Sequence, residues 1–98
     1  MAFVYLVRCV DGSLYCGSTE QLDARISAHN DGSGGAYTRR HRPVTLVFSE
    51  EHATFQSAAK RERQIKGWSA AKKEALIAGD VDTLKLRSIS RASPRFRR

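Results

Sequence analysis

Residues 3–17 read FVYLVRCVDGSLYCG. Two apolar runs, Phe3–Cys9 and Leu14–Cys16, flank Asp11-Gly12, a dipeptide that tolerates the positive φ of a tight turn. The segment reads as a β-hairpin with Tyr5 on its first strand and Tyr15 on its second. With Cys9 set opposite Tyr15, both phenols lie on one face of the sheet; a slip of one residue would separate them. Aromatic residues favour pleated surfaces, so from this stretch alone the plainer reading of both tyrosines is core packing.

Downstream of the hairpin, Tyr15-Cys16-Gly17 runs into Ser18-Thr19, where a first helix is expected to open, Gln21 completing a capping box from Ser18. It is expected to end near His29, before Asn30-Asp31-Gly32. At 100° per residue Leu22 and Ile26 lie within about 40° of each other, with Arg25 and His29 on the adjoining edge. A cation and an imidazole one turn apart thus border the apolar stripe, ordinarily as a solvated flank. Residues 30–43, NDGSGGAYTRRHRP, hold three glycines and Pro43 and read as a surface loop. Its basic end, Arg39, Arg40 and Arg42 beside Tyr37 and His41, suits phosphate contact and base stacking, or simply solubilises a long loop.

Val44–Glu50 is expected to be a third strand, central in the sheet by its apolar density. Thr54 caps a second helix from Phe55 to Lys66. Relative to Phe55, Glu62 falls in the middle of a stripe that includes Ala59 and Lys66. A carboxylate facing inward is costly without a cation, a metal or hydrogen bonds. A metal ligand and a structural bridge to Arg25 or another arginine both remain open. Trp68 leads to a third helix, Ala70–Ala78, capped by Ser69 and stopped by Gly79. Leu76 and Ile77 are its inward residues, while Lys72 and Lys73 are placed outward. Asp80 or Asp82 is expected to start a last short helix, so residues 1–87 form one domain and 88–98 a basic tail without fixed structure.

The 98 residues contain no apolar run near the roughly 20 needed to span a bilayer. No basic segment with a leader-like apolar stretch precedes the first strand, so the expected compartment is the cytoplasm. Cys9 and Cys16 are then expected to be reduced core thiols, and further ligands for zinc are missing. The net charge of +7 is uneven, −1 over residues 1–59 and +8 over 60–98. Such asymmetry suits a polyanion, most often nucleic acid, or a solvated basic surface.

The order Tyr5, Tyr15-Cys16-Gly17, Leu22-x-x-Arg25-x-x-x-His29-Asn30 and then Glu62 resembles the GIY-YIG nuclease domain. More narrowly, Ala36-Tyr37-Thr38-Arg39, Arg42-Pro43, Lys66 and Lys73-x-x-x-Ile77 resemble the small stand-alone bacterial GIY-YIG proteins. The nuclease module of structure-specific endonucleases is similar around Arg25-x-x-x-His29-Asn30. The likeness covers residues 2–79. Phe3 stands where the first motif of the family opens with glycine, and Val4 and Cys16 occupy the central motif positions. The specificity domain of larger relatives is also missing, which leaves substrate choice open.

The expected fold is α/β (α+β), a small three-stranded antiparallel sheet flanked by helices in β-β-α-β-α-α order. The resemblance implies a metal-dependent DNA endonuclease with a one-metal mechanism and a role such as DNA repair. Glu62 would be the single protein ligand of Mg²⁺ or Mn²⁺, and Tyr5 the general base or the residue that orients water. Arg25 would hold the scissile phosphate, Tyr15 and His29 would complete the pocket, and Gly17 would let a phosphate approach the backbone. Contacts to DNA, single-stranded or branched, are expected from Tyr37, Arg39, Arg40, Arg42, Lys66, Lys72 and Lys73. The alternative is a nucleic-acid-binding module, or a subunit dependent on a protein partner, with this fold and little activity of its own. No membrane association is expected, and the oligomeric state is not legible.

Overall fold

The protein is described by a computed structural model over residues 1–79. Its elements are β1 (Ala2–Arg8), β2 (Leu14–Thr19), α1 (Leu22–Asp31), α2 (Ala36–Arg40), β3 (Thr45–His52), α3 (Phe55–Lys66) and α4 (Ala70–Ala78). The strands form one antiparallel sheet in the order β2-β1-β3. The α+β class is as expected, with one helix more: α2 lies inside the segment read as a loop. The chain divides into two compact units, Met1–Lys66 and Gly67–Arg98. The expected last helix and the basic tail lie outside the described residues.

The hairpin turns where Asp11-Gly12 predicts. Gly12 has φ 88°, a left-handed value that glycine adopts without a Cβ penalty. The Asp11 carboxylate accepts from the Ser13 amide at 3.0 Å and from its hydroxyl at 2.6 Å. The Cys9 amide donates to the Ser13 carbonyl at 2.8 Å. Pairing sets Val7 opposite Tyr15 and Tyr5 opposite Gly17. That register is two residues away from the Cys9–Tyr15 pairing. Because side chains alternate with period two, an even slip leaves Tyr5 and Tyr15 on the same face.

β1 is the central strand, not β3, and this corrects the sequence expectation. Val4, Tyr5, Leu6 and Val7 are all fully buried, as a strand covered on both faces requires. β3 is an edge, with exposed Thr45, Leu46, Ser49 and Glu51. Charge on an exposed edge discourages pairing with another chain. The start of α1 is also corrected. Ser18 continues the β1–β2 ladder opposite Val4 and so cannot cap a helix. The helix begins at Leu22 after a turn in which Thr19 Oγ1 accepts from the Gln21 amide at 3.0 Å. Its far end reaches Asp31 and is closed by Gly32, two residues beyond the expected stop. There the Asn30 side chain bonds both the carbonyl and the amide of Val44, which ties α1 to the start of β3.

Thr54 caps α3 as expected, accepting from the Ser57 amide at 3.1 Å. The inward line of α3 is not the one drawn through Phe55, which is exposed; it runs through Ala58 and Ile65, with Glu62 between them. This helix packs on β1 and β2. In the second unit, Ser69 caps α4 by accepting from the Lys72 amide at 3.2 Å, and Gly79 closes it at φ 75°. Lys72 departs from the outward position expected of it. It is 7 % exposed, and its ammonium lies 3.8 Å from the centroid of the Trp68 ring. A cation over an indole face is held by the ring quadrupole, which offsets part of the loss of hydration. Lys73 is half-buried. Cys9 and Cys16 are buried free thiols. Among the described residues no helix is long and apolar enough to cross a membrane.

Candidate active site

Three buried polar side chains form a chain behind β2. The Tyr5 hydroxyl lies 2.9 Å from His29 Nε2, and His29 Nδ1 lies 2.8 Å from Thr38 Oγ1. Tyr5, His29 and Thr38 are each no more than 1 % exposed. Each comes from a different element, β1, α1 and α2, so the contact holds both helices against the central strand. The edge of the Tyr15 ring faces His29, their centroids 5.4 Å apart. Two glycines make the room. A Cβ on Gly17 would sit 2.5 Å from the Tyr5 hydroxyl, and one on Gly34 would sit 2.7 Å from the His29 Cα. Gly17 is thus the floor over which the Tyr5 ring reaches the sheet edge.

Burial governs the electrostatics of this chain of groups. It pushes the Tyr5 phenol up to about 12, although a hydrogen bond from Arg25 and its charge pull the other way. Burial, and then the Arg25 charge, hold His29 below the ordinary imidazole value. At neutral pH both groups are uncharged. A neutral imidazole has one N–H, so one ring nitrogen of His29 donates and the other accepts. If Nδ1 donates to Thr38, Nε2 receives the Tyr5 hydroxyl proton.

Glu62 reaches the same place from the other side of the sheet. Ser18 Oγ donates to Glu62 Oε1 at 2.5 Å, and Lys66 Nζ lies 2.7 Å from Oε2. Alternation along β2 puts Ser18 on the face opposite Tyr15 and Gly17. The site therefore does not gather on one face of the sheet, as the one-face spacing on the two helices suggests. It wraps the edge strand β2, with Tyr5, Tyr15, Arg25 and His29 on one side and Glu62 on the other. The Glu62 charge still acts on Tyr5, and that of Tyr15 on Lys66. The alternative of a bridge to Arg25 or another arginine is corrected: the ion-pair partner of Glu62 is Lys66, one turn along the same helix, with Ser18 donating to its other oxygen.

Glu62 fits a divalent cation of the Mg²⁺ type. Its side chain is 19 % exposed, and one oxygen already faces an ammonium. That ammonium stands on a flexible, half-exposed stem and can yield its place. One carboxylate completed by waters suits a hard ion that dehydrates reluctantly. No group of three or more His, Cys, Asp or Glu side chains positioned for a metal occurs among the described residues.

The residues expected to contact DNA differ in their surroundings. Arg39, Arg40 and Arg42 are exposed on and just after α2, and Lys66 is engaged with Glu62. Lys72 is buried against Trp68 in the second unit. Tyr37 is exposed, but its ring and hydroxyl are engaged. It stacks on Tyr15 at 5.9 Å and on His41 at 4.3 Å, and its hydroxyl donates to Ser13 Oγ at 2.7 Å. Two polar partners escaped the sequence reading. Thr38 looked like an ordinary loop residue, with no local signal besides its place in Ala36-Tyr37-Thr38-Arg39. Ser18 was legible in the alternation Leu14, Cys16, Ser18 had that pattern been extended past Gly17.

The GIY-YIG catalytic domain family model matches residues 1–75. The chain is similar to a UPF0213 protein of Staphylococcus aureus (strain Mu3 / ATCC 700698). The two are 48 % identical over 75 residues, which cover 76 % of this chain and 92 % of that protein. Among solved structures it is similar to a UPF0213 protein from Bacillus halodurans, with a TM-score of 0.53 and 37 % identity over 82 % of this chain and 86 % of that one. A protein from E. faecalis has the same TM-score at 29 % identity, over 97 % of this chain and 93 % of its own.

Proposed function

Because the chain belongs to the GIY-YIG catalytic domain family, a nuclease superfamily, we propose that it is a DNA endonuclease that hydrolyses phosphodiester bonds with one divalent cation. The observation that carries this reading is the buried Tyr5–His29–Thr38 chain ending at the strand edge that Glu62 reaches from the opposite face.

Glu62 is the residue that would hold Mg²⁺ or Mn²⁺, which supplies Lewis-acid stabilisation of charge developing on the scissile phosphate. Arg25 is exposed, bonded to Tyr5, and offers a planar fork suited to phosphate oxygens. With its phenol at about 12, Tyr5 is not a resident phenolate at neutral pH. It acts instead as a relay. The Tyr5 hydroxyl is closed to solvent here, so the relay needs substrate binding to draw Arg25 away and admit the attacking water; its oxygen then takes a proton from that water while its own proton passes to His29 Nε2. His29, held neutral by burial and by Arg25, has that nitrogen free when Nδ1 is bonded to Thr38. Tyr15 packs on His29 and keeps the ring in place. Arg39, Arg40 and Arg42 supply sequence-independent phosphate contacts.

The Glu62–Lys66 pair favours a second reading, a DNA-binding module that turns over little until a partner or substrate draws the lysine away. Incubation with labelled single-stranded, duplex, flapped and branched DNAs in Mg²⁺, Mn²⁺ or EDTA separates the two. Metal-dependent cutting of at least one substrate, lost in Glu62→Ala, supports the nuclease. Tight binding without cutting in either metal supports the module.

A further inference from the structure

An open groove of about 380 Å³ adjoins the site on the outer side of β2 and α1. Ser18 and Arg25, both already in contact with site residues, line it. Ala24 and Ala28 of α1 and Phe55 from the first turn of α3 are further lining residues. We propose that this groove receives the nucleobase of the nucleotide next to the scissile phosphate, stacked on Phe55. The inference rests on the endonuclease reading and adds to it a subsite for one unstacked base.

Several observations point to a base rather than to another occupant. Phe55 is 43 % exposed although it is a large apolar side chain, and it lies against a groove rather than in the core. The other exposed aromatic among the described residues, Tyr37, is already stacked on Tyr15 and His41 and hydrogen-bonded to Ser13. Stacking is sequence-tolerant because every base has a π-face, so a free ring beside a phosphate-binding cation is the minimal platform for single-stranded nucleic acid. Alanines leave room for a flat ring on α1. Glu20 and Gln21 also line the groove. A carboxylate there repels a second phosphate but accepts from the exocyclic amino group of cytosine or adenine. The volume lies within the range of about 300–1,000 Å³ common to small-ligand sites. A base paired within a duplex cannot enter, so the substrate must be single-stranded there or must swing that nucleotide out.

The test uses the Glu62→Gln protein, so that binding is read without cleavage, and single-stranded oligonucleotides carrying 2-aminopurine or an abasic residue at successive positions. Stacking worth about 1–3 kcal/mol corresponds to roughly 5- to 150-fold in affinity. Phe55→Ala should weaken binding of the intact oligonucleotide by that factor and leave the best-placed abasic oligonucleotide unaffected. Phe55→Trp should keep the affinity. The 2-aminopurine emission at that same position should be quenched by Glu62→Gln and not by Glu62→Gln/Phe55→Ala. Thermal melts show whether Phe55→Ala is folded; if it is not, the quenching position and the abasic penalty of Glu62→Gln alone decide the matter. Uniform quenching along the strand with no abasic penalty, or equal loss on intact and abasic strands in Phe55→Ala, overturns the proposal. Quenching confined to one position in a protein that cuts no DNA would sustain the base subsite and reject the endonuclease reading.

Discussion

Replacing Thr38 by valine keeps the branched shape and removes one hydroxyl from the interior. The lost bond, 2.8 Å from Thr38 Oγ1 to His29 Nδ1, joins two side chains that are each 1 % exposed. No water can take over at such a depth without opening the contact between α1 and α2. The buried ring nitrogen is then left without a partner, at a cost of about 1–3 kcal/mol. For a domain of this size each 1 kcal/mol lowers Tm by about 4–8 °C, so the fall should be at least about 4 °C and easily measured by calorimetry or circular dichroism. The double-mutant cycle makes the test specific. In a His29→Leu background there is no ring nitrogen to orphan, so Thr38→Val should be close to neutral. Thr38→Ser retains the hydroxyl and should retain the pH profile of cleavage, which Thr38→Val should shift or flatten. A single Thr38→Val variant that melts within about 1 °C of the parent would show that the Thr38–His29 bond does not stabilise the fold; so would an equal loss in both backgrounds.

Stability should fall at both ends of the pH range. His29 is held below its unfolded value of 6.5, so the unfolded chain takes up a proton first as pH drops; its contribution is full above 6.5 and is lost below it. Tyr5 is raised to about 12 from 10.0, so its contribution is full below pH 10 and disappears as pH rises toward 12. Melts of wild type and Tyr5→Phe across pH 5–12 check this, and an alkaline limb that survives in Tyr5→Phe would contradict it. Gly17→Ala forces a methyl to within 2.5 Å of the Tyr5 hydroxyl and should cost about 1–3 kcal/mol, with loss of cleavage; an unchanged melt would show that the ring can move aside. Arg40→Ala should weaken DNA binding for all sequences and flatten the log–log salt slope by about 0.9 on duplex DNA; a slope identical to wild type would remove that contact.

The hairpin and the cap of α3 were legible because local chemistry decides them: Asp11-Gly12 at the turn, and Thr54 ahead of an apolar phase. The register was not, because the Cys9–Ser13 and Gly12–Cys9 bonds close a three-residue turn centred on Asp11 rather than on Gly12, a shift that no pattern marks. A capping box and a strand ladder competed for Ser18, and pairing with Val4 and bonding to Glu62 prevailed. α2 carries no local signal strong enough to stand alone. It exists where Thr38 meets His29 and Tyr37 meets Tyr15, contacts distant in sequence. Lys72 was placed outward on charge alone, whereas Trp68, four residues earlier, gave its ammonium a face to rest on. For the candidate site, the motif order Tyr5, Tyr15, Arg25, His29, Glu62 named the residues proposed for it. Their meeting around an edge strand, rather than on one face, follows from the strand order β2-β1-β3, which no periodicity reveals.

On the proposed function, Glu62 serves hydrolysis and is not a prop of the fold. Single-turnover cleavage of a DNA substrate in Mn²⁺ tests it most directly, with DNA affinity and Tm measured on the same wild-type and Glu62→Gln preparations. Glu62→Gln should abolish cleavage, leave DNA affinity nearly unchanged because phosphate contacts elsewhere supply it, and keep or raise Tm. Cleavage that persists in Glu62→Gln would contradict it, as would a wild type that never cuts and a mutant whose only deficit is a fall in Tm of several degrees.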